Sequence, residues 1–333
     1  MPRSAIEEHD LPHRKTGRPD LCAIVITFYP DAELPARLSR ISPQVGAVVI
    51  VDNGSGDAAL AMLDELARHP FVSLIRNGQN LGVARALNIG VQHAASLGFA
   101  WILLLDQDTV VAADMVETLS SIYSSFPDGE RLAIIGSGFT DRSLQVSRGP
   151  VDDRWEELWS VITSGSLLPL SAYAEIGPFR EEFFVDYVDV DYCLRARRKD
   201  YRVIKSRKTL MSHAIGNPSL HQFLWIKKWT TNHSPDRRYY IARNDTVLLR
   251  EHGNYACGWW AIKSLFRCVR ASRRVFFYED AKADKILAIA QGWRDGVRGK
   301  LGPRPVRRPP SNGASGHGRQ VDSNGNSQQA LRR

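Results

Sequence analysis

Four short apolar runs, residues 21–27, 47–51, 72–75 and 101–105, punctuate the first third of the chain. Each is too short for a helix and too uniformly apolar to have a wet face, so each predicts a strand buried on both sides. The stretches between them change period. Leu34, Leu38 and Ile41 repeat at helical spacing within residues 31–41, residues 57–68 alternate likewise, and an Asn/Gly loop at 77–82 opens a helix over 84–97. Strands alternating with helices of this length predict an α/β fold, a doubly wound, mainly parallel sheet flanked by helices. Beyond it the pattern predicts a helix over 115–123 and a strand over 132–136, then an irregular stretch of mixed charge over 139–160. In residues 162–168 an apolar run is interrupted by Ser164, Gly165 and Ser166. A glycine there lets another group approach the backbone closely, with simple packing as the competing reading.

Polar residues that end these runs carry the candidate chemistry. The fourth run stops at Asp106-Gln107-Asp108-Thr109. Side chains two apart on an extended segment point the same way, and the carboxyl end of a parallel strand is where open α/β sheets bind ligands. Two hard oxygen ligands suit Mg²⁺ or Mn²⁺, commonly shared with a substrate's phosphates; an ordinary polar turn is the alternative. Asp52 ends the second run, where such folds hold a ribose or base, or where an Asx-turn forms. Neither a GxGxxG fingerprint nor a Walker A loop is present, which argues against NAD and FAD and leaves phosphates to metal and basic side chains. Asp186, Asp189 and Asp191 crowd before a helix running to about Lys199. They are either capping acids or the source of a general base. His213 alone reads as structural, but beside two aspartate ligands it is a candidate third.

Composition narrows the class. At 333 residues the chain can hold one large core or two small ones, and its net charge of +8 gathers after Lys199, favouring anionic partners. Cys22, Cys193, Cys257 and Cys268 are scattered, which fits a reducing cytosol rather than a zinc or disulfide framework. No run reaches the roughly 18 apolar residues of a spanning helix. Residues 1–20 read as a disordered arm, 21–250 as the catalytic domain, 251–298 as a helical extension and 299–333 as a disordered basic tail. In 254–278, Lys263, Arg267, Arg270 and Arg274 form one helical stripe and Trp259, Ile262, Phe266 and Val269 the next. That pattern suits either an interfacial helix on an anionic leaflet or a helix packed on the catalytic domain. No nucleic-acid motif is present.

Taken together these residues resemble the family-2 inverting glycosyltransferases of the GT-A fold, and more closely the bacterial rhamnosyltransferases of cell-surface polysaccharide assembly. The resemblance runs in order over roughly residues 21–250. It starts with Ile26-Thr27-Phe28-Tyr29-Pro30, Val51-Asp52-Asn53-Gly54-Ser55, and Asn80-Leu81-Gly82 with Ala84 and Asn88. It continues through Leu105-Asp106-Gln107-Asp108, Ser164-Gly165-Ser166, and Asp189-Val190-Asp191-Tyr192-Cys193-Leu194-Arg195. It closes with His213 and with Tyr239-Tyr240 followed by Arg243-Asn244.

The resemblance implies that Thr27, Asp52 and Asn80 line the nucleotide sugar. Asp106 and Asp108 become the Asp-x-Asp of the metal site, Asp108 the metal ligand and Asp106 nearer the ribose, with His213 completing the set. Asp189 matches the catalytic base, Ser164, Gly165 and Asp191 lie on the acceptor side, and Arg243 is a candidate for the diphosphate. Where the family usually has Glu before the base, this chain has Val188, so the base role stays open between Asp189 and Asp191. The implied reaction moves a sugar, dTDP-L-rhamnose being the first donor and UDP-galactofuranose or another hexose donor the alternative. The implied acceptor is a saccharide or lipid-linked saccharide, and the enzyme is expected to be cytoplasmic, in peripheral contact with the cytoplasmic face of the inner membrane. Phosphatases of the haloacid-dehalogenase type also use Asp-x-Asp, but on their first strand, whereas this motif follows the fourth.

Overall fold

The computed structural model describes residues 18–141, 146–147, 154–213, 219–223, 226–230, 232–253, 266, 270, 272–273 and 275–304. Of the expected arm over 1–20 only residues 18–20 are described, and they open a strand; its remainder, the expected 299–333 tail from 305 on, and most of the 254–278 stretch, including Trp259, Ile262, Lys263, Arg267, Val269 and Arg274, lie outside the described residues. The chain divides into two compact units, Met1–Glu181 with Val188–Ala214, and Glu182–Tyr187 with Ile215–Arg333. The division thus falls near 214, ahead of the sequence boundary at 250, because the long helix spanning 250 belongs to the second unit.

The first unit opens with β1 (Arg18–Thr27), α1 (Leu34–Ile41), β2 (Val45–Asp52), α2 (Asp57–Leu66), β3 (Val72–Arg76), α3 (Val83–Ser96) and β4 (Trp101–Asp106). These are the predicted elements, with ends shifted by up to three residues. The first four strands are mutually parallel, in the order β3-β2-β1-β4. The chain therefore winds from β1 out to β3 and returns to the other side of β1, which makes the β1/β4 boundary the switch point of the sheet. Side chains from one face of the strands and from α1, α2 and α4, among them Val25, Leu38, Leu63, Leu103 and Leu119, close one core.

Past β4 the sheet stops being uniformly parallel. β5 (Val110–Val111), α4 (Met115–Ser125), β6 (Leu132–Asp141), β7 (Val146–Ser147), β8 (Trp155–Glu157), β9 (Ser166–Pro169), α5 (Leu170–Ile176), α6 (Val188–Arg198) and β10 (Arg202–His213) complete the unit. β9 lies antiparallel between β4 and β6, and β5 antiparallel against β10, while β6 and β10 are parallel. The apolar run at 162–168 thus becomes a strand only from Ser166; its first half is the turn that holds the site.

The second unit contains the hairpin β11 (Ser219–Phe223) and β12 (Ile226–Thr230), then α7 (Pro235–His252) and α8 (Lys282–Val297). Ser234 caps α7, its Oγ accepting from the Arg237 N–H at 3.3 Å with Pro235 at the first helical position. α7 packs against α8 around Tyr239, Tyr240 and Ala288.

Candidate functional site

Register brings three strand ends together. Ile26 on β1 pairs with Val51 on β2 and with Asp106 on β4, and Thr27 pairs with Asp52. The polar residues that end three separate apolar runs therefore stand side by side at the carboxyl edge, across the switch point.

Asp52 is buried and fully used. One carboxylate oxygen accepts from Thr27 Oγ1 at 3.1 Å and Ser55 Oγ at 2.5 Å, the other from the Gly54 and Ser55 N–H groups at 3.1 and 2.9 Å. Thr27 is likewise buried. Both residues were expected to line the nucleotide; here they form a carboxylate-centred turn that fixes the end of β2. Asn53, which the sequence did not single out, is the next hub. Its Nδ2 donates to Asn80 Oδ1 and the Gly82 carbonyl, and its Oδ1 accepts from Asn77 Nδ2 and the Leu81 N–H. Asn80 Oδ1 in turn accepts from the Gly82 N–H at 2.9 Å. The 52–56 turn and the 77–82 loop are thereby one body. Gly54 is required in it: its φ is +92°, and a Cβ would stand 2.7 Å from the Gln79 backbone.

The Asp-Gln-Asp turn is held from three sides. The Thr109 N–H closes it on the Asp106 carbonyl at 3.1 Å. Gln107 accepts from the Phe28 N–H at 2.7 Å and donates to the Phe28 carbonyl at 3.2 Å, tying the turn to the end of β1 across the switch point. Arg37, buried and bridged to Asp31 and Glu33, donates to the Gln107 carbonyl at 3.1 Å. Ser164 Oγ accepts from the Asp106 N–H at 3.2 Å and bonds Thr109 Oγ1 at 2.7 Å. Gly165, at φ +72°, donates to the Leu104 carbonyl at 2.7 Å, and a Cβ there would run into Met211 and Ser137. Ser164 and Gly165, expected on the acceptor side, thus brace the turn from below. Gln107 turns toward β1, while the flanking Asp106 and Asp108 remain partly exposed. Two such carboxylates, oxygen donors only, fit a hard divalent cation that takes its remaining ligands from water and a diphosphate.

His213 ends β10, where Ser212 pairs with Val110 and Met211 with Val111. That antiparallel register carries the backbone of His213 toward Thr109, next to the Asp-Gln-Asp turn; its side chain lies outside the described set. Asp189 and Asp191 both fall in the first turn of α6 but differ in surroundings. Asp189 is partly exposed, its Oδ1 accepting from the Val190 N–H at 2.8 Å. Asp191 is buried, 2.8 Å from Arg195 Nε and 3.7 Å from Arg180. The same Arg195 donates to the Ile176 and Pro178 carbonyls, so Asp191 anchors α6 to the turn after α5. Burial pushes the Cys22 and Cys193 thiols up to about 12, which removes both as thiolate nucleophiles.

Arg243 departs furthest from expectation. It is completely buried in the second unit, where its guanidinium donates to the Glu182, Phe183 and Gly302 carbonyls and to Asn244 Oδ1. Asn244 Nδ2 reaches the Phe183, Val185 and Asp186 carbonyls. The pair clamps a segment in which Phe184, Asp186 and Tyr187 all have positive φ, between 60° and 64°. Such backbone costs roughly 1–3 kcal/mol per residue and persists only where its surroundings impose it. Arg237 adds a forked ion pair to Asp186, at 3.0 Å. The guanidinium expected at a diphosphate is committed to protein carbonyls.

Known proteins with similar sequences identify the family. The description "Glycosyl transferase family 2" matches residues 23–160, the span of β1 to β8. The dTDP-rhamnosyl transferase RfbF of Shigella flexneri is 30% identical over 255 residues, covering 70% of this chain and 81% of that protein. The low-salt glycan biosynthesis hexosyltransferase Agl10 of Haloferax volcanii is 23% identical over 206 residues, covering 57% of this chain and 66% of its own length. Among solved structures, S. aureus TarS is similar at a TM-score of 0.49 and 14% identity, over 69% of this chain and 39% of that one, too distant to argue from. Identity at the level of the rhamnosyl transferase, spread over most of both chains, places this protein in glycosyl transferase family 2, and it is a glycosyltransferase.

Proposed function

We propose that the protein transfers L-rhamnose from dTDP-L-rhamnose, with inversion, to a hydroxyl of a saccharide acceptor or its lipid-linked form in cell-surface polysaccharide synthesis. The observation that carries this reading is the alignment of Asp52 and Asp106 across the switch point, in a chain 30% identical to a dTDP-rhamnosyl transferase. The donor nucleotide lies along the carboxyl edge, over the rigid body made by the 52–56 turn and the 77–82 loop, with Asn80 on its rim. Thr27 and Asp52 shape that floor through their mutual bond. Asp106 faces the ribose, and Asp108, with Asp106 and His213, holds Mg²⁺ or Mn²⁺. A divalent cation bound there supplies Lewis-acid stabilisation to the departing diphosphate.

Asp189 is the general base. Its carboxylate takes the acceptor hydroxyl's proton as the new C–O bond forms at the anomeric carbon and the bond to the diphosphate breaks. Partial exposure suits that task, whereas Asp191 is buried under two arginines and positions the helix on the acceptor side. Direct displacement needs no protein nucleophile. The Haloferax relative is named a hexosyltransferase, a term that covers rhamnose and other hexoses alike, so another hexose, galactofuranose included, is the second reading.

Calorimetric titration with dTDP-rhamnose, UDP-galactofuranose, UDP-glucose and GDP-mannose, each with Mn²⁺ and with EDTA, tests this. Metal-dependent binding of dTDP-rhamnose alone is expected. Binding of another donor alone removes rhamnose and keeps the family; equal binding with EDTA removes the metal.

A further inference from the structure

Helix α8 is turned inside out. Its buried positions are Lys285, Ala288, Gly292, Asp295 and Gly296, all small or charged, whereas Ile286, Leu287, Trp293 and Val297 are exposed, Trp293 by 59%. The inward stripe has a packing reason. A Cβ on Gly292 would collide with the Tyr239 carbonyl oxygen, and one on Gly296 would stand 2.7 Å from that of Arg243, so only glycine lets α8 lie this close to α7. Lys285 and Asp295 tolerate burial because each has a partner, Glu279 at 3.1 Å and the Tyr239 hydroxyl at 3.1 Å.

The outward stripe has no such reason. Ile286, Trp293 and Val297 follow one another on a single face, with Ala283 and Ala290 between them at three- and four-residue steps. Beside it runs an apolar groove of about 300 Å³, lined by Ser272, Arg273, Phe276, Phe277, Ile286 and Ile289. Phe276 and Phe277 are themselves exposed. The groove thus joins Ile286 of the outward face to the exposed Phe276 and Phe277, and adjoining exposed apolar side chains of this kind are what contact sites are made of.

Charge identifies what covers it. Around the patch, Arg270, Arg273, Lys282, Arg294, Arg298 and Lys300 are exposed, against Asp280 and Asp284. From Asn254 onward the sequence carries 16 Lys/Arg and 5 Asp/Glu, an excess larger than the net +8 of the entire chain. A second copy seated on the patch would bring two cationic rims together, which is repulsive. An anionic leaflet neutralises the rim and takes up the tryptophan and phenylalanines at its interface. No helix among the described residues is long and apolar enough to cross a membrane. We infer that the second unit docks on an anionic phospholipid surface through the outward face of α8 and the adjoining Phe276 and Phe277. The inference stands whichever donor the first unit uses.

Flotation of the full chain with vesicles of phosphatidylcholine, alone or mixed with phosphatidylglycerol, tests it. The protein is expected to float with the anionic vesicles and to stay behind with phosphatidylcholine alone. An Ile286→Ser/Trp293→Ser variant should partition about tenfold more weakly or worse, with unchanged melting and donor affinity, since both side chains are exposed. A Phe276→Ser/Phe277→Ser variant gives a second, independent reading. Failure of the wild type to float with anionic vesicles overturns the inference, as do equal flotation on both vesicle types and undiminished flotation of both variants. So does a dimer, seen by light scattering, that Trp293→Ser dissociates.

Discussion

In the first unit one set of buried polar groups sits at the rim of an apolar core. Asp52, Asn53 and Ser164 lie at or beyond strand ends, each satisfied by turns that converge on the carboxyl edge. In the second unit the polarity runs the other way. Arg238, Arg243, Asn244, Glu279, Lys285 and Asp295 are buried in and around the α7/α8 pair, and large apolar side chains face outward. The contrast teaches that burial by itself says little about function. The rim hubs shape a ligand floor, while the polar interior of the helix pair holds an irregular segment and frees an apolar face. What separates them is the side chain: mostly short amides, hydroxyls and carboxylates gripping turns in one unit, long cations gripping carbonyls and carboxylates in the other.

The sharpest way to break this comparison is at the two acids of α6. Asp189→Asn is expected to cut kcat about a hundredfold to ten-thousandfold with calorimetric donor affinity unchanged. Asp191→Asn should instead lower the urea midpoint, because it breaks a pair between a buried carboxylate and a partly exposed arginine. A catalytic collapse in the second variant with normal stability would exchange the two roles. Next in size, Arg243→Ala should destabilise the second unit by about 3 kcal/mol in urea unfolding, by leaving the Glu182, Phe183 and Gly302 carbonyls unsatisfied. Lys at 243, with one point charge in place of a planar fork, should recover only part of it. If Arg243→Ala instead weakens donor binding at full stability, the guanidinium belongs to the diphosphate after all.

Asn53→Ala tests the rim. Four hydrogen bonds between two loops are lost, and a destabilisation of about 2 kcal/mol with a raised KM for donor is expected. The last effect is one of pH. Burial, with Arg237, Arg238 and Lys285 nearby, pushes His233 from 6.5 down to about 3. Between those values the unfolded chain binds a proton that the folded chain does not, so stability falls as pH drops from about 6.5 toward 3. His233→Gln should flatten that slope in urea midpoints measured across the window, and an unchanged slope would assign it to other groups.

Much of the first unit was legible in advance. Uniform apolar runs and helical spacing located β1 to β4 and α1 to α4, since those patterns report which local face is buried. The residues at the strand ends followed from the same runs, because a polar residue that terminates a buried strand must emerge at the sheet edge. The antiparallel course of β9 was not legible: a four-residue apolar strand carries no mark of direction. Gln107 was passed over as the middle of a motif, although its spacing from two strand-end acids was visible; its bond to Phe28 spans 79 positions. Ser164 and Arg243 were placed on the ligand side by the resemblance alone; the bonds Ser164 makes to the Asp106 turn and Arg243 makes to the Glu182, Phe183 and Gly302 carbonyls join segments far apart in sequence, which no local pattern records.

The sequence by itself determined the strand–helix alternation, the Asp-x-Asp at the end of β4 and the acid pair at the start of α6, because each is written in neighbouring residues. Tertiary structure alone decided which strand ends lie together, which of the two acids is buried, and which polar side chains are committed to the protein. It also decided that α8 presents its apolar stripe outward. A helical pattern shows that a face is apolar, but whether that face or its opposite is covered depends on the close backbone approach that Gly292 and Gly296 permit to α7, and that approach is a property of two distant segments meeting.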